Sequence, residues 1–386
     1  MARVARALGD LSAALAAEIR ARGPLSVARF MELAADHYYQ RRDPLGAAGD
    51  FVTAPEVSQM FGEILGLWLA QAWIGCGRPA PARLVELGPG RGTLMADLLR
   101  ASAQVPGFRD ALSVHLVERS SRLRELQAER LAAVEVAWHD RFEQVQDGPL
   151  FLVANEFLDA LPVHQLVRTG EHWVERRVGL ADGRFALLLG DRESPRASSL
   201  PDAAPGTIAE VSPARERLAG QIGERIAAAG GVAVLIDYGA AACGPTGDTL
   251  QAVCGHARID PLTAPGEADL SSQVDFRALA GAAAAGGAAV FGPVPQGTFL
   301  RAFGIEARAL HLLERARPEQ RRALRAGLFR LTDPAAMGEL FKVLVLASPH
   351  GPPPPGFGAP DLTLASQESC SSPPSSASSA ASATAS

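Results

Sequence analysis

Three glycines, at positions 88, 90 and 92, stand between an apolar run at 84–87 and a helical pattern that begins at Thr93. Glycine lets the chain turn tightly there and lets a ligand approach the backbone with no Cβ in the way. The helix that follows offers free N–H groups at its N-terminus. Glu86 lies just before the loop. A second apolar run, 114–117, ends in Glu118. An acid at the tip of a second strand can accept hydrogen bonds from both hydroxyls of a ribose. Together these residues predict a site for an adenosine-bearing cofactor.

The spacing is Gly-x-Gly-x-Gly, and Thr93 occupies the place of the third glycine in a dinucleotide fingerprint. Glu86 is not part of that fingerprint. Strand–Glu-x-Gly-x-Gly-x-Gly followed by strand–Glu resembles the S-adenosylmethionine site of class I methyltransferases. In that resemblance the loop underlies the methionine part of the cofactor, and Glu118 holds the ribose. The competing reading of the glycines is a tight strand–helix turn, and the position of Glu118 counts against it.

The elements that must position these residues follow from periodicity. Apolar runs at 84–87, 114–117, 134–138 and 150–154 alternate with helical patterns at 93–100 and 121–131. Such alternation means a parallel sheet with helices on both faces. Ligands bind beyond the carboxyl ends of strands in these sheets. Glu86, Glu118, Asp140 and the pair Asn155-Glu156 all fall at or just past strand ends. Four strands therefore aim polar groups at one edge. Asn155 joins the cofactor-binding set, and Asp140 is a candidate acceptor for the adenine amine.

The expected fold is α/β, a class I methyltransferase Rossmann-like sheet with an N-terminal helical segment and an inserted antiparallel meander. Helical patterns cover 8–22 and, capped by Ser26, continue to Ala35; a loop at 37–55 precedes a long helix at 56–75. The turn pairs Thr169-Gly170 and Asp182-Gly183 split short strands at 163–168, 172–178 and 185–189. A helix at 213–229 leads to a strand at 232–236 that ends in Asp237-Tyr238, and a strand at 342–347 closes the fold. The expected organisation is a helical segment and lid loop at 1–78, a methyltransferase domain at 79–348 with an insertion at about 163–210, and a Pro/Ser/Ala-rich tail at 349–386 that cannot bury enough apolar surface to order itself.

The chain has 386 residues, and 37 Lys and Arg against 42 Asp and Glu give a net charge of −5. That balance argues against nucleic acid as the main partner. The run at 315–330, with Arg315, Arg317, Arg321, Arg322, Arg325 and Arg330, is a basic exception that reads as a solvated helix face. Cys76, Cys243, Cys254 and Cys370 form no C-x-x-C pair, and no histidines have metal spacing, so the expectation is no metal and a reducing compartment. No apolar run is fit to span a bilayer. Asp10 and Glu18 interrupt the basic N-terminus, whereas transit peptides are acid-poor. A bacterial-type cytoplasmic location is preferred, with the mitochondrial matrix as the eukaryotic equivalent.

Several motifs occur in a telling order. Gly49-Asp50-Phe51-Val52-Thr53-Ala54-Pro55-Glu56-Val57-Ser58-Gln59-Met60-Phe61-Gly62-Glu63 precedes the glycine loop, and Ala154-Asn155-Glu156-Phe157-Leu158-Asp159-Ala160-Leu161-Pro162 follows it. Ile236-Asp237-Tyr238-Gly239, Gly266-Glu267-Ala268-Asp269-Leu270, Val274-Asp275-Phe276 and Met337-Gly338-Glu339-Leu340-Phe341-Lys342-Val343-Leu344 come later. This set, covering roughly 23–347, is similar to the MidA-type methyltransferase family, which includes a mitochondrial complex I assembly factor. The run Asp36-His37-Tyr38-Tyr39 departs from it, as a shortened version of the family's His-Pro-x-x-Gly-Tyr-Tyr. The resemblance implies S-adenosylmethionine as cofactor and a protein arginine as acceptor, such as one on a respiratory complex I subunit. It also implies that the loop at 49–56 closes over the cofactor or shapes the entrance.

Guanidinium is a poor nucleophile because it stays protonated and delocalised. A carboxylate paired with two of its nitrogens can localise the charge and free the third. Glu156 is the first candidate and Asp159 the second, beyond the fourth strand; Asp50 and Glu56 on the loop are alternatives. Each has a structural reading as well: Asp159 as a turn cap before Pro162, Glu56 as a first-turn acid, Asp237-Tyr238 as a strand-end hydrogen-bond pair. A small-molecule methyltransferase and a non-catalytic assembly factor of the same fold are the competing functions. The sequence gives no direct reading of oligomeric state, and a homodimer stays open.

Overall fold

Seven strands make the central sheet: β1 (Ala82–Leu87), β2 (Leu112–Val117), β3 (Val136–His139), β4 (Leu150–Asn155), β5 (Gly231–Ala240), β6 (Ala289–Pro295) and β7 (Phe341–Ala347). The computed structural model describes residues 2–41, 52–197, 200–241, 247–358 and 360. The strand order is β3-β2-β1-β4-β5-β7-β6, with the short strand Val274–Asp275 beside the end of β5. From β3 to β5 the pairs are parallel, whereas β7 is antiparallel to both its neighbours. Chain order reverses between β1 and β4. Ligands of open α/β sheets bind at such a switch point, and the glycine loop and Asn155-Glu156 leave the sheet there side by side.

Strands β4 and β5 are continuous apolar runs because helices cover both faces. One face packs on α4 (Gln59–Gly75) and α5 (Thr93–Ser102), the other on α7 (Pro213–Ala229) and α8 (Phe276–Ala285). Helix α6 (Ser121–Arg130) links β2 to β3. Helices α4 and α5 cross closely. A Cβ on Gly66 would lie 2.5 Å from the Leu98 carbonyl oxygen, and one on Gly62 2.7 Å from Asp97 Cβ. The helical spacing of these two glycines is what lets α5, and the loop at its N-terminus, seat against the core.

The N-terminal helices α1 (Ala2–Arg22) and α2 (Val27–Arg41) pack on the inserted antiparallel sheet. Its strands are His164–Thr169, His172–Ala181, Arg184–Glu193 and Ile208–Val211, and Leu25–Ser26 adds a short edge pair to the second of them. Helix α2 runs past the expected end at Ala35. Phe30, Met31, Ala34 and Tyr38 form one buried stripe, and Tyr38 carries the apolar period one turn further than a polar reading of tyrosine suggests. Residues 37–41, expected in a loop, are therefore helical. The expected helix at 56–75 is two helices, α3 (Ala54–Val57) and α4, broken at Ser58. Ser58 is extended (φ −163°, ψ 138°), and its Oγ accepts from the Met60 N–H, capping α4. A small sheet of 251–254, 257–259 and 269–271 was not foreseen. Among the described residues no helix is long and apolar enough to cross a membrane.

Candidate functional site

Strand β1 delivers Glu86 and the glycine loop to the switch point. Gly88, Gly90 and Gly92 have φ of +62°, +53° and +75°, a region costly for side chains with a Cβ. A Cβ on Gly88 would also sit 2.6 Å from the Phe157 ring. The Gly88 N–H donates to the Val117 carbonyl (3.1 Å), which ties the loop to β2. Glu86 is buried, and its carboxyl accepts the Met95 N–H from the first turn of α5. Among the described residues its Oε2 has no partner. Burial pushes this carboxyl up to about 8.

Glu118 follows β2. Its Oε1 accepts the Ser120 N–H (2.7 Å), and burial raises its pKa against that bond. Gln127 of α6 is fully buried and joins three parts of the site. Its Nε2 donates to the Gly90 carbonyl (2.7 Å) and reaches Glu118 Oε2 (3.4 Å), while its Oε1 accepts from the Trp138 indole (2.9 Å). Arg124 donates to the Glu118 carbonyl and to Asp140 Oδ1 (2.7 Å), so Asp140 stands exposed at the rim, tied to the Glu118 turn.

Strand β4 delivers Asn155 and Glu156. Glu156 has φ +49°, an uncommon conformation for a residue with a side chain. Its Oε1 accepts the Ala54 N–H (2.7 Å) and the Asn155 side-chain amide (3.2 Å). Burial pushes its carboxyl up to about 7. Asn155 Oδ1 is buried with no partner among the described residues. Helix α3 lies over the glycine loop, because Glu56 Oε1 also accepts from the Thr93 hydroxyl (2.5 Å). Asp159 is half-buried, and burial raises its pKa. Asp50 lies outside the described residues.

The turn at 156–162 is held from behind. Asp237 Oδ2 accepts the N–H groups of Leu158 (2.9 Å) and Asp159 (3.1 Å), and Oδ1 accepts that of Tyr238 (2.9 Å). Arg215, buried in the first turn of α7, donates to the carbonyls of Leu158 (2.7 Å), Asp159 (2.9 Å), Leu161 (3.2 Å) and Gln273 (2.7 Å) and to Ser272 Oγ (2.7 Å). Gln127 and Arg215 escaped the sequence reading. Their partners are mostly backbone groups brought from distant elements, which no local motif signals.

A cleft of about 420 Å³ opens at the switch point. Glu86, Gly88, Gly90, Glu118, Asp140, Asn155 and Glu156 line it; Gly92 and Asp159 do not reach its surface. The floor fits a cationic, adenosine-bearing cofactor. Glu86 Oε2 and Asn155 Oδ1 are acceptors lacking donors among the described residues, and the ammonium of a bound amino-acid group would satisfy them. Glu118 would take ribose hydroxyls, and Asp140 the adenine end.

Comparison with known proteins agrees with this geometry. Residues 64–294 match the family model described as "Putative S-adenosyl-L-methionine-dependent methyltransferase". The Drosophila melanogaster homolog of the mitochondrial protein arginine methyltransferase NDUFAF7 is 38% identical over 375 residues, covering 88% of this chain and 85% of that one. Human NDUFAF7 is 36% identical, covering 86% and 82%. A Burkholderia thailandensis structure bound to S-adenosyl-homocysteine superposes with a TM-score of 0.77 at 28% identity, covering 89% and 92%. The chain belongs to this family of S-adenosylmethionine-dependent methyltransferases.

Proposed function

We propose that this methyltransferase modifies an arginine of a protein substrate, a respiratory complex I subunit first, and that Glu156 receives the guanidinium while Asp159 acts from behind the cleft wall. The observation that carries the reading is Glu156 itself. It is a carboxyl with a proton affinity near neutrality, seated at the end of β4 beside the glycine loop. The relatives named protein arginine methyltransferases support the choice of acceptor.

The bound cofactor supplies a methyl group on a sulfonium, open to in-line attack. The protein's part is to place the nucleophile and exclude water. Ionised Glu156 pairs with the guanidinium, localises its charge and leaves one nitrogen free to attack. Asp159, one turn away, adds negative potential. Glu156 then accepts the proton that the methylated nitrogen sheds. Gly88, Gly90, Glu86, Glu118, Asp140 and Asn155 hold the cofactor, Gly92 shapes the loop beneath it, and α3 lies over the loop. The free thiols Cys76 and Cys254 support a reducing compartment, bacterial cytoplasm or mitochondrial matrix.

The test is transfer of labelled methyl to an arginine-bearing peptide, with the product mapped by mass spectrometry. Wild type should label arginine, and Glu156→Gln should lose about 10²–10³ of kcat while binding S-adenosylhomocysteine as wild type does. Full turnover by a folded Glu156→Gln protein would remove Glu156 from this role, and label on a small molecule alone would overturn the protein-substrate reading.

A further inference from the structure

The basic run in the sequence forms most of one helix, α9 (Pro318–Thr332). Its inner side is apolar and close-packed. Leu324, Leu328 and Leu331 face the core, and Gly327 lies against α3, where a Cβ would be 3.3 Å from the Val57 carbonyl oxygen. Near its end, Arg330 donates to the Val52 carbonyl (3.2 Å), just ahead of α3. Helix α9 is therefore fixed against α3, whose Pro55 and Glu56 line the cleft.

The outer side is different. Arg322, Arg325 and Phe329 recur at helical spacing and share one stripe. All three are exposed, Phe329 by 58%. Among the described residues neither Arg322 nor Arg325 has an ion pair or a side-chain hydrogen bond. Residues 314–330 carry six arginines against Glu314 and Glu319, in a chain whose net charge is −5. Unpaired arginines around an exposed aromatic ring have the composition of a recognition surface. A helix face that only meets solvent commonly carries charges of both signs.

We propose that the Arg322–Arg325–Phe329 stripe docks an acidic segment of the protein substrate, a segment that also presents an apolar side chain to Phe329. The inference rests on the protein-substrate reading above. The overall negative charge of the chain would otherwise repel an acidic partner, so the stripe both selects the orientation of approach and holds the substrate beside α3 while its arginine enters the cleft.

The experiment uses two fluorescein-labelled peptides with the same arginine-bearing core, one flanked by glutamates around a leucine, the other by serines around a leucine. Anisotropy on the full chain should show the acidic peptide bound about tenfold tighter, with the advantage shrinking as salt is raised. The double variant Arg322→Glu, Arg325→Glu should lose that advantage and prefer a lysine-flanked peptide, with S-adenosylhomocysteine affinity unchanged. Equal binding of the two peptides by wild type overturns the proposal, as does an acidic preference that survives the double variant. Tighter binding of a single-stranded oligonucleotide or of phosphatidylglycerol vesicles, lost in the double variant, reassigns the stripe and also overturns it. Binding is read without turnover. An intact acidic preference without methylation of the core therefore keeps the docking surface and removes the arginine reading.

Discussion

Glu156 shows most plainly how environment sets a residue's work. Burial raises its carboxyl to about 7, offset in part by the Ala54 N–H. It must be ionised to pair with a guanidinium that stays protonated across the accessible range. Activity at low peptide concentration should therefore rise about tenfold per pH unit below 7 and level off above it. A pH–rate profile checks this, and a flat profile between pH 6 and 8 would mean that another group sets the reaction. Glu86, Glu118, Asp140, Asn155 and Glu156 could all be found in the sequence, because a strand end is visible as the end of an apolar run. The residues that hold them could not. Arg215 reads as one arginine in a helix, yet it fixes the turn at 158–161 through backbone carbonyls that only the tertiary fold brings near. Gln127 reads as an ordinary helix position, yet it links Gly90, Glu118 and Trp138.

The elements were legible where one period ran clear. The core strands and the helix at 213–229 follow from apolar runs with turn residues at their ends. Helix α2 is longer than its polar-looking residues suggest, and the break at Ser58 is a capping event inside what reads as one amphipathic pattern. The motif Met60-Phe61-Gly62-Glu63 gains a physical reason from the α4–α5 crossing. Gly66→Leu would drive a side chain into the Leu98 backbone, 2.5 Å from its Cβ position. Backbone cannot step aside as a flexible side chain can, so the variant should lose about 1–3 kcal/mol of stability or more. Because α5 begins at the glycine loop, cofactor affinity should fall with it. Denaturant unfolding and calorimetry on Gly66→Leu and Gly66→Ala check both effects. A Leu variant as stable as wild type would show that the helices can separate without harm to the site.

At the scale of the molecule, local patterns reveal a parallel sheet but not the place of its last strand. Strand β7 comes late in the chain and inserts between β5 and β6, antiparallel to both, and no spacing in the sequence specifies which strands it joins. The expected tail at 349–386 is ordered at its start, where Phe357 packs on the core and the Trp68 indole donates to the Pro355 carbonyl (3.0 Å). The completed sheet concentrates raised carboxyls at one edge: Glu86 at about 8, Glu156 at about 7, and Glu118 above its ordinary value. A carboxyl with a raised folded pKa holds a proton that the unfolded chain has released. The cofactor-free protein should then be most stable below the unfolded values, near pH 4, as far as these groups are concerned, and should lose that contribution as pH rises to about 8. A bound ammonium favours ionised Glu86, so cofactor affinity should increase over the same interval. Ligand at a hundred times its Kd stabilises a folded protein by about 2.7 kcal/mol. At one fixed concentration of S-adenosylhomocysteine, the rise in Tm should therefore be larger at pH 8 than at pH 6. Glu86→Gln should raise the stability of the free protein at pH 8, lower the affinity, and remove the difference between the two pH values. Equal shifts at both pH values in wild type would mean that Glu86 is already ionised in the free protein, with its charge balanced by something other than the ligand.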